Sequence, residues 1–132
     1  MKNLRVLNML FCTAISCMDG HVLLPVIEFL KNHLSIDYVD MVTEAGPVKI
    51  LAEQQDSLTA RSILQRIDIS VNKQRSGVIA IAAHYDCAGN PVDEKTQKLQ
   101  LQQSGKFLSS KNNSLQIIPV WINSSWQVKV VS

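Results

Sequence analysis

The sequence has no concentrated basic run. Its 13 Lys and Arg against 11 Asp and Glu leave a net charge of only +2, spread along the chain, which argues against a nucleic-acid partner reading phosphates with a clustered Lys/Arg face. Aromatic residues make up 5% of the chain, too few for platforms on which single-stranded bases stack. Outside the first residues, no stretch approaches the roughly 20 apolar positions that a membrane span needs, so no membrane partner is expected. Cysteine is sparse and odd in number, at Cys12, Cys17 and Cys87. A disulfide framework calls for more cysteines, in even number, in a short secreted chain. These three suit a reducing, cytoplasmic setting in which thiolates stay available for metal or chemistry.

What is present fits a globular protein. The 132 residues are 46% apolar and 18% charged, near globular averages and far from disordered composition. The length predicts a single domain over residues 1–132. The basic start Met1–Arg5 followed by the apolar stretch Val6–Ser16 has the outline of a signal peptide, and Ala14-Ile15-Ser16-Cys17 resembles a lipoprotein cleavage box. Asn8 interrupts that stretch, however, and the chain runs straight on into a motif. A buried first strand accounts for the same residues.

Apolar runs alternate with helical patterns, which predicts an α/β fold of three layers: a central, mostly parallel sheet of four to five strands flanked by helices. The first run, about Val6 to Ser16, is continuous enough for a strand buried on both faces. Val22 to Leu34 carries Val22, Val26, Phe29, Leu30 and Leu34 at helical spacing, with Pro25 in the first turn. Tyr38 to Thr43 reads as a second strand, closed by the turn Glu44-Ala45-Gly46-Pro47. Val48 to about Lys73 reads as helical, with Ser57 or Asp56 as a cap before Leu58. Gly77 to Ala83 is the clearest buried strand. A glutamine-rich helix is expected from about Asp93 to Leu108, then a loop over Ser109–Ser114, a strand over Leu115–Ile122 and a short edge strand within Trp126–Val131.

Two clusters of reactive side chains punctuate this order. Cys17-Met18-Asp19-Gly20-His21 follows the first strand, and His84-Tyr85-Asp86-Cys87 follows the third. Ligands of open parallel sheets bind outside the carboxyl ends of the strands, where the strand order reverses. The first and third strands are neighbours in the usual doubly wound order, so the two clusters are expected to converge. Two thiolates and an imidazole make a Cys₂His set, which catalytic zinc sites use with a fourth position open. Asp19 lies close enough to be the fourth ligand or to hydrogen-bond whatever takes that place.

These residues resemble the β-class carbonic anhydrases, which carry Cys-x-Asp-x-Arg after the first strand and His-x-x-Cys-Gly after a later one. Ser16-Cys17-Met18-Asp19 is similar to the first motif and His84-Tyr85-Asp86-Cys87 to the second. Glu44-Ala45-Gly46 falls where that family has Asn-Ala-Gly. The resemblance covers about Val6 to Pro91 and the fourth strand. It implies a zinc ion (Zn2+) held by the metal ligands Cys17, His84 and Cys87, with Asp19 and His21 as catalytic candidates. It also implies a small-molecule substrate (carbon dioxide or bicarbonate), attack by zinc-bound hydroxide, and a homodimer that completes the pocket.

The sequence departs from the family at several points. His21 stands where the family has the arginine that pairs with the aspartate, and a histidine lacks the permanent charge and bidentate fork of that arginine. Roles for His21 at the surface, as a ligand and as a proton relay all stand. Ala88 replaces the glycine after the second cysteine, and the chain is shorter than ordinary members, without their long N-terminal helical arm. Three hypotheses follow: a zinc lyase hydrating carbon dioxide or a similar molecule, a non-catalytic zinc-binding descendant, and a metal-free thiol or anion-binding protein.

The remaining candidates have plain roles. His33 is expected on a solvated helix face, Cys12 as a small buried hydrophobe, and Asp86 as a loop hydrogen-bonder. Trp121 and Trp126 are expected to pack near the C-terminal edge, and Gln97–Gln103 to form a solvated helix face.

Overall fold

A computed structural model describes residues 10–112 and 114–131. The basic start and residues Val6–Met9 of the first apolar run lie outside the described residues. The elements in chain order are β1 (Phe11–Cys17), α1 (Leu23–Leu34), β2 (Tyr38–Glu44), α2 (Pro47–Glu53), α3 (Leu58–Lys73), β3 (Val78–His84), α4 (Glu94–Lys111), β4 (Gln116–Ile122) and β5 (Val128–Val130).

One five-stranded sheet runs in the order β2-β1-β3-β4-β5. The first four strands are parallel, and β5 pairs antiparallel with β4 through Ile122↔Val128 and Val120↔Val130. Buried on both faces, β1 and β3 have no solvent side to alternate with, which is why they read as continuous apolar runs. On one face Ile15, Ile79, Ile81 and Trp121 pack with Val48 and Leu51 of α2, Ile63 and Ile67 of α3 and Leu101 and Leu108 of α4. On the other, Cys12, Ala14, Ala80, Ala82, Ile118 and Val120 pack with Val26 and Leu30 of α1. The predicted three-layer α/β fold with a mostly parallel sheet is the one observed.

The two strands bearing the reactive clusters are adjacent. The chain leaves β1 towards β2 on one side and returns past β1 to place β3 on the other. The carboxyl ends of β1 and β3 therefore flank the point where the strand order reverses, where such sheets form their crevice.

Three expectations are corrected. The helical stretch Val48–Lys73 is two helices, because Gln54 leaves the helical region and the Ser57 hydroxyl accepts the Ala60 amide (3.1 Å) to start α3 afresh. The segment Ser109–Ser114 is not all loop, since α4 runs on to Lys111, where the Asn112 amide closes on Leu108. Nor is Gln97–Gln103 simply a solvated face. Gln97 and Gln100 are buried, and Gln102 and Gln103 are exposed.

Candidate metal centre

Each reactive side chain is placed by backbone at a strand end. Cys17 is the last residue of β1, opposite Glu44 of β2, and the next amide, Met18 N–H, donates to the Glu44 carbonyl (2.9 Å). His84 is the last residue of β3, and the Tyr85 amide donates to the Ile122 carbonyl (2.9 Å). Past His84 the chain turns through Asp86 at φ +54, and the Asn90 amide donates to the Cys87 carbonyl (3.2 Å), bringing Cys87 back under the strand end.

The result is a buried cluster in which one ligand atom each from Cys17, His84 and Cys87 lies within 4.8 Å of the others. The two sulfur atoms are 3.8 Å apart. Ligands at about 2.3 Å from a tetrahedral centre lie about 3.8 Å from each other, so the sulfur spacing fits a shared ion.

His84 is 1% exposed. Its Nδ1 lies 2.8 Å from the Tyr85 carbonyl oxygen, which can only accept, so Nδ1 carries the proton and Nε2 presents a lone pair. Among the described residues, that buried Nε2 has no hydrogen-bond partner. A buried polar atom without a partner costs free energy, and a metal is the partner this atom lacks. The donor set, the tautomer and the sulfur spacing all fit zinc.

Backbone amides sharpen the fit. The backbone amides of Gly46 and Asp19 beside Cys17, and those of Gly89 and Asn90 beside Cys87, favour the thiolate. The two sulfurs lie within hydrogen-bond distance of each other. The hydrogen bond from Cys87 brings the Cys17 thiol down to about 4 against the opposing effect of burial, while Cys87, as the donor, is held well above the usual thiol range. Burial disfavours the charged His84, but its contacts with Cys17 and the Tyr85 carbonyl, and the charges of Cys17 and Asp19, outweigh this and raise its pKa.

The turn Glu44-Ala45-Gly46 is part of the same structure. Gly46 sits at φ +63, where a Cβ would come within 2.8 Å of the Gly89 carbonyl oxygen. Glycine there lets the loop after β2 lie against the loop after β3.

Asp19 lies at the mouth. Its Oδ1 accepts the His21 amide (2.8 Å) and contacts His21 Nδ1 (2.7 Å), while its Oδ2 is 4.0 Å from His84 Nε2. The His21 amide, chiefly, with the His21 ring and the nearby His84, outweighs the opposing effect of desolvation and leaves the Asp19 carboxyl below its ordinary value. His21 is 63% exposed, with its ring turned to Asp19 rather than into the cluster. Cys12 lies apart in the α1-side core, where burial pushes its thiol up to about 12. His33 is exposed against Phe29.

Sequence reasoning missed the groups that brace the cluster. The Gln97 amide of α4 donates to the His84 carbonyl (2.8 Å). Asn90 donates to Gln100 Oε1 (2.7 Å), and Gln100 donates to Glu53 of α2 (3.0 Å). A signal was present: Gln97, Gln100 and Ser104 fall at helical spacing with Leu101 and Leu108 on the buried stripe. Trp126 was also missed as a site residue. Its indole stacks on His21 with ring centroids 4.4 Å apart and planes 7° from parallel.

Comparison with known proteins agrees with this architecture. A sequence family described as "Putative carbonic anhydrase" matches residues 7–132. No curated protein matches the sequence. Among solved structures, one of the tetrameric β-carbonic anhydrases of the filamentous ascomycete Sordaria macrospora superposes with a TM-score of 0.62 at 11% identity, over 94% of this chain and 81% of that one. The β-carbonic anhydrase CafA of Aspergillus fumigatus superposes with a TM-score of 0.56 at 13% identity, over 99% of this chain and 79% of that one. At such identities the likeness is one of fold.

Proposed function

Because the chain belongs to this carbonic anhydrase family, we propose that it holds one zinc ion through Cys17, His84 and Cys87 and hydrates carbon dioxide to bicarbonate. The observation that carries the reading is the unpartnered Nε2 of His84, buried beside two sulfurs 3.8 Å apart. When bound, zinc supplies the Lewis acid that lets water lose a proton near neutral pH.

The chain's own residues do the rest. The Tyr85 carbonyl holds the His84 tautomer, and Gln97 holds the strand end on which His84 sits. The amides around each sulfur stabilise the thiolate form that zinc requires. Asp19, ionised, with Oδ2 facing His84 Nε2 at 4.0 Å, is the proton acceptor at the mouth. His21 orients it through Oδ1 and meets solvent on its far side. A homodimer belongs to the same proposal, since the Sordaria relatives are tetrameric; sedimentation velocity tests it.

A second reading, a non-catalytic zinc protein, is favoured by the exposed His21 in place of a fixed arginine. Elemental analysis of protein purified without chelator or metal-affinity tag tests the first step, with Cys17→Ser as control. About one zinc per chain, lost in the variant, is expected. Stopped-flow hydration then separates the two readings: zinc-loaded protein no faster than buffer from neutral to alkaline pH leaves the non-catalytic one.

A further inference from the structure

The turn between β4 and β5 is built around a residue in an unfavourable backbone conformation. Trp126 has φ +60, a region that L side chains avoid and that glycine or asparagine usually takes in hairpin loops. The turn is tied down to keep it there. Asn123 Oδ1 accepts the amides of Ser125 (2.9 Å) and Gln127 (3.0 Å), and Asn123 Nδ2 donates to Gln127 Oε1 (3.1 Å). The Trp126 amide donates to the Asn123 carbonyl (2.9 Å), and the Asn123 amide to the Gln127 carbonyl (3.0 Å). A strained residue held by its surroundings points to a use for its side chain, and the use visible here is the near-parallel stack on the imidazole of His21.

His21 needs such a support. It is mostly exposed, and one hydrogen bond to Asp19 does not by itself hold a solvated ring in one rotamer. With the indole on one face, the imidazole is kept in the plane that directs Nδ1 at Asp19 Oδ1. Asp19 is thereby held by its Oδ1 side, with Oδ2 still 4.0 Å from His84 Nε2.

We propose that Trp126 is the positioning residue of the site: its stack locks His21 onto Asp19 and so keeps the Asp19 carboxylate from closing over the metal position. Trp126 and His21 together hold Asp19 as a single arginine would by its fork. The part concerning the metal rests on the proposed ligands Cys17, His84 and Cys87; the part concerning His21 does not.

The test uses nitrogen-15 NMR of the histidines in metal-free protein, with the His21 signals identified by their loss in His21→Ala. The wild type is expected to show His21 as the Nδ1–H tautomer, with ring protons shifted upfield by the indole. Trp126→Leu, which keeps apolar volume in the partly buried position, is expected to lose both, and Trp126→Phe to retain the tautomer. Thermal unfolding of each variant checks that the fold persists. Cobalt(II) then serves as a spectroscopic metal. Azide should perturb the visible bands of the wild type and the Phe variant, with at least a tenfold weaker response in the Leu variant. Persistence of the Nδ1–H tautomer in Trp126→Leu, or a wild type without the tautomer, overturns the proposal. Failure of the wild type to bind cobalt overturns the metal reading instead, and leaves the tautomer result to judge Trp126.

Discussion

The side-chain amide of Gln97 donates a 2.8 Å hydrogen bond to the backbone carbonyl of His84. Both groups are buried, and the bond carries α4 across to the end of β3, at the residue whose ring faces the two sulfurs. Tyr85 N–H continues the sheet pairing to Ile122, while the carbonyl of His84 accepts from this glutamine. The helix thus supports the imidazole from behind.

Replacing Gln97 by Leu should therefore act on both stability and metal. The orphaned carbonyl is expected to cost about 1–3 kcal/mol in denaturant unfolding. The loosened strand end should weaken zinc binding about 10- to 100-fold, as for other groups behind metal ligands. A chelator-competition titration measures the second effect. Unchanged affinity alongside lost stability would confine Gln97 to the core.

Two glycines should respond to alanine with opposite signs. Gly46 has φ +63, and a Cβ there meets Gly89 backbone at 2.8 Å. The left-handed conformation alone costs an L residue about 1–2 kcal/mol, and the collision adds to it, so Gly46→Ala should unfold at lower denaturant and bind zinc more weakly. Gly105 lies inside α4, where a Cβ would meet only Ile117 Cγ2, at 3.9 Å. Gly105→Ala should stabilise by about 0.5–1 kcal/mol through helix propensity. A stabilising Gly46→Ala would show that the two loops are not pressed together.

Much of this was legible in the sequence, for identifiable reasons. The strands of the sheet centre announce themselves because β1 and β3 are covered on both faces, leaving unbroken apolar runs. Cys17 and His84 were legible as lying just past strands, and the adjacency of β1 and β3 followed from the usual doubly wound order. The Ser57 cap before Leu58 was legible, but the break at Gln54 was not, because the polar tetrad Gln54–Ser57 suits a helix surface as well. The burial of Gln97 and Gln100 depends on partners from distant segments, the His84 carbonyl, Asn90 and Glu53, which composition cannot reveal. The stack of Trp126 on His21 depends on a backbone angle in a turn, also invisible in residue identity.

The sulfur–imidazole cluster sets a pH dependence in the metal-free protein. Cys17 is held at about 4 in the fold against an ordinary 9.0. A lowered pKa contributes stability that is present above the ordinary value and lost as pH falls through the folded one. His84 has the opposite sign. Its raised pKa contributes below 6.5 and fades as pH rises through its folded value. Between about pH 4 and 6.5 only Cys17, of these two, adds a slope, and stability rises with pH; just above 6.5 the two oppose and the curve flattens. Cys87, raised in the fold, contributes below 9.0 and loses that contribution in alkali. Denaturant midpoints of chelator-treated protein across this range should follow this shape, and Cys17→Ser should remove most of the acid-side gradient. An unchanged gradient in that variant would place its origin in carboxylates elsewhere.

His21 offers the sharpest separation between holding the metal and using it. It touches Asp19 but is not part of the cluster around His84 Nε2. His21→Ala is therefore expected to keep one zinc per chain while lowering kcat for hydration about 100-fold, the low end for a disturbed proton-transfer group. His21→Arg restores a fork that can grip both Asp19 oxygens, and should recover most of the loss without changing zinc content. If the alanine variant instead loses zinc, His21 belongs to the metal's coordination. If it hydrates carbon dioxide at the wild-type rate, Asp19 works without its partner, and the pairing seen at the mouth serves the fold rather than the reaction.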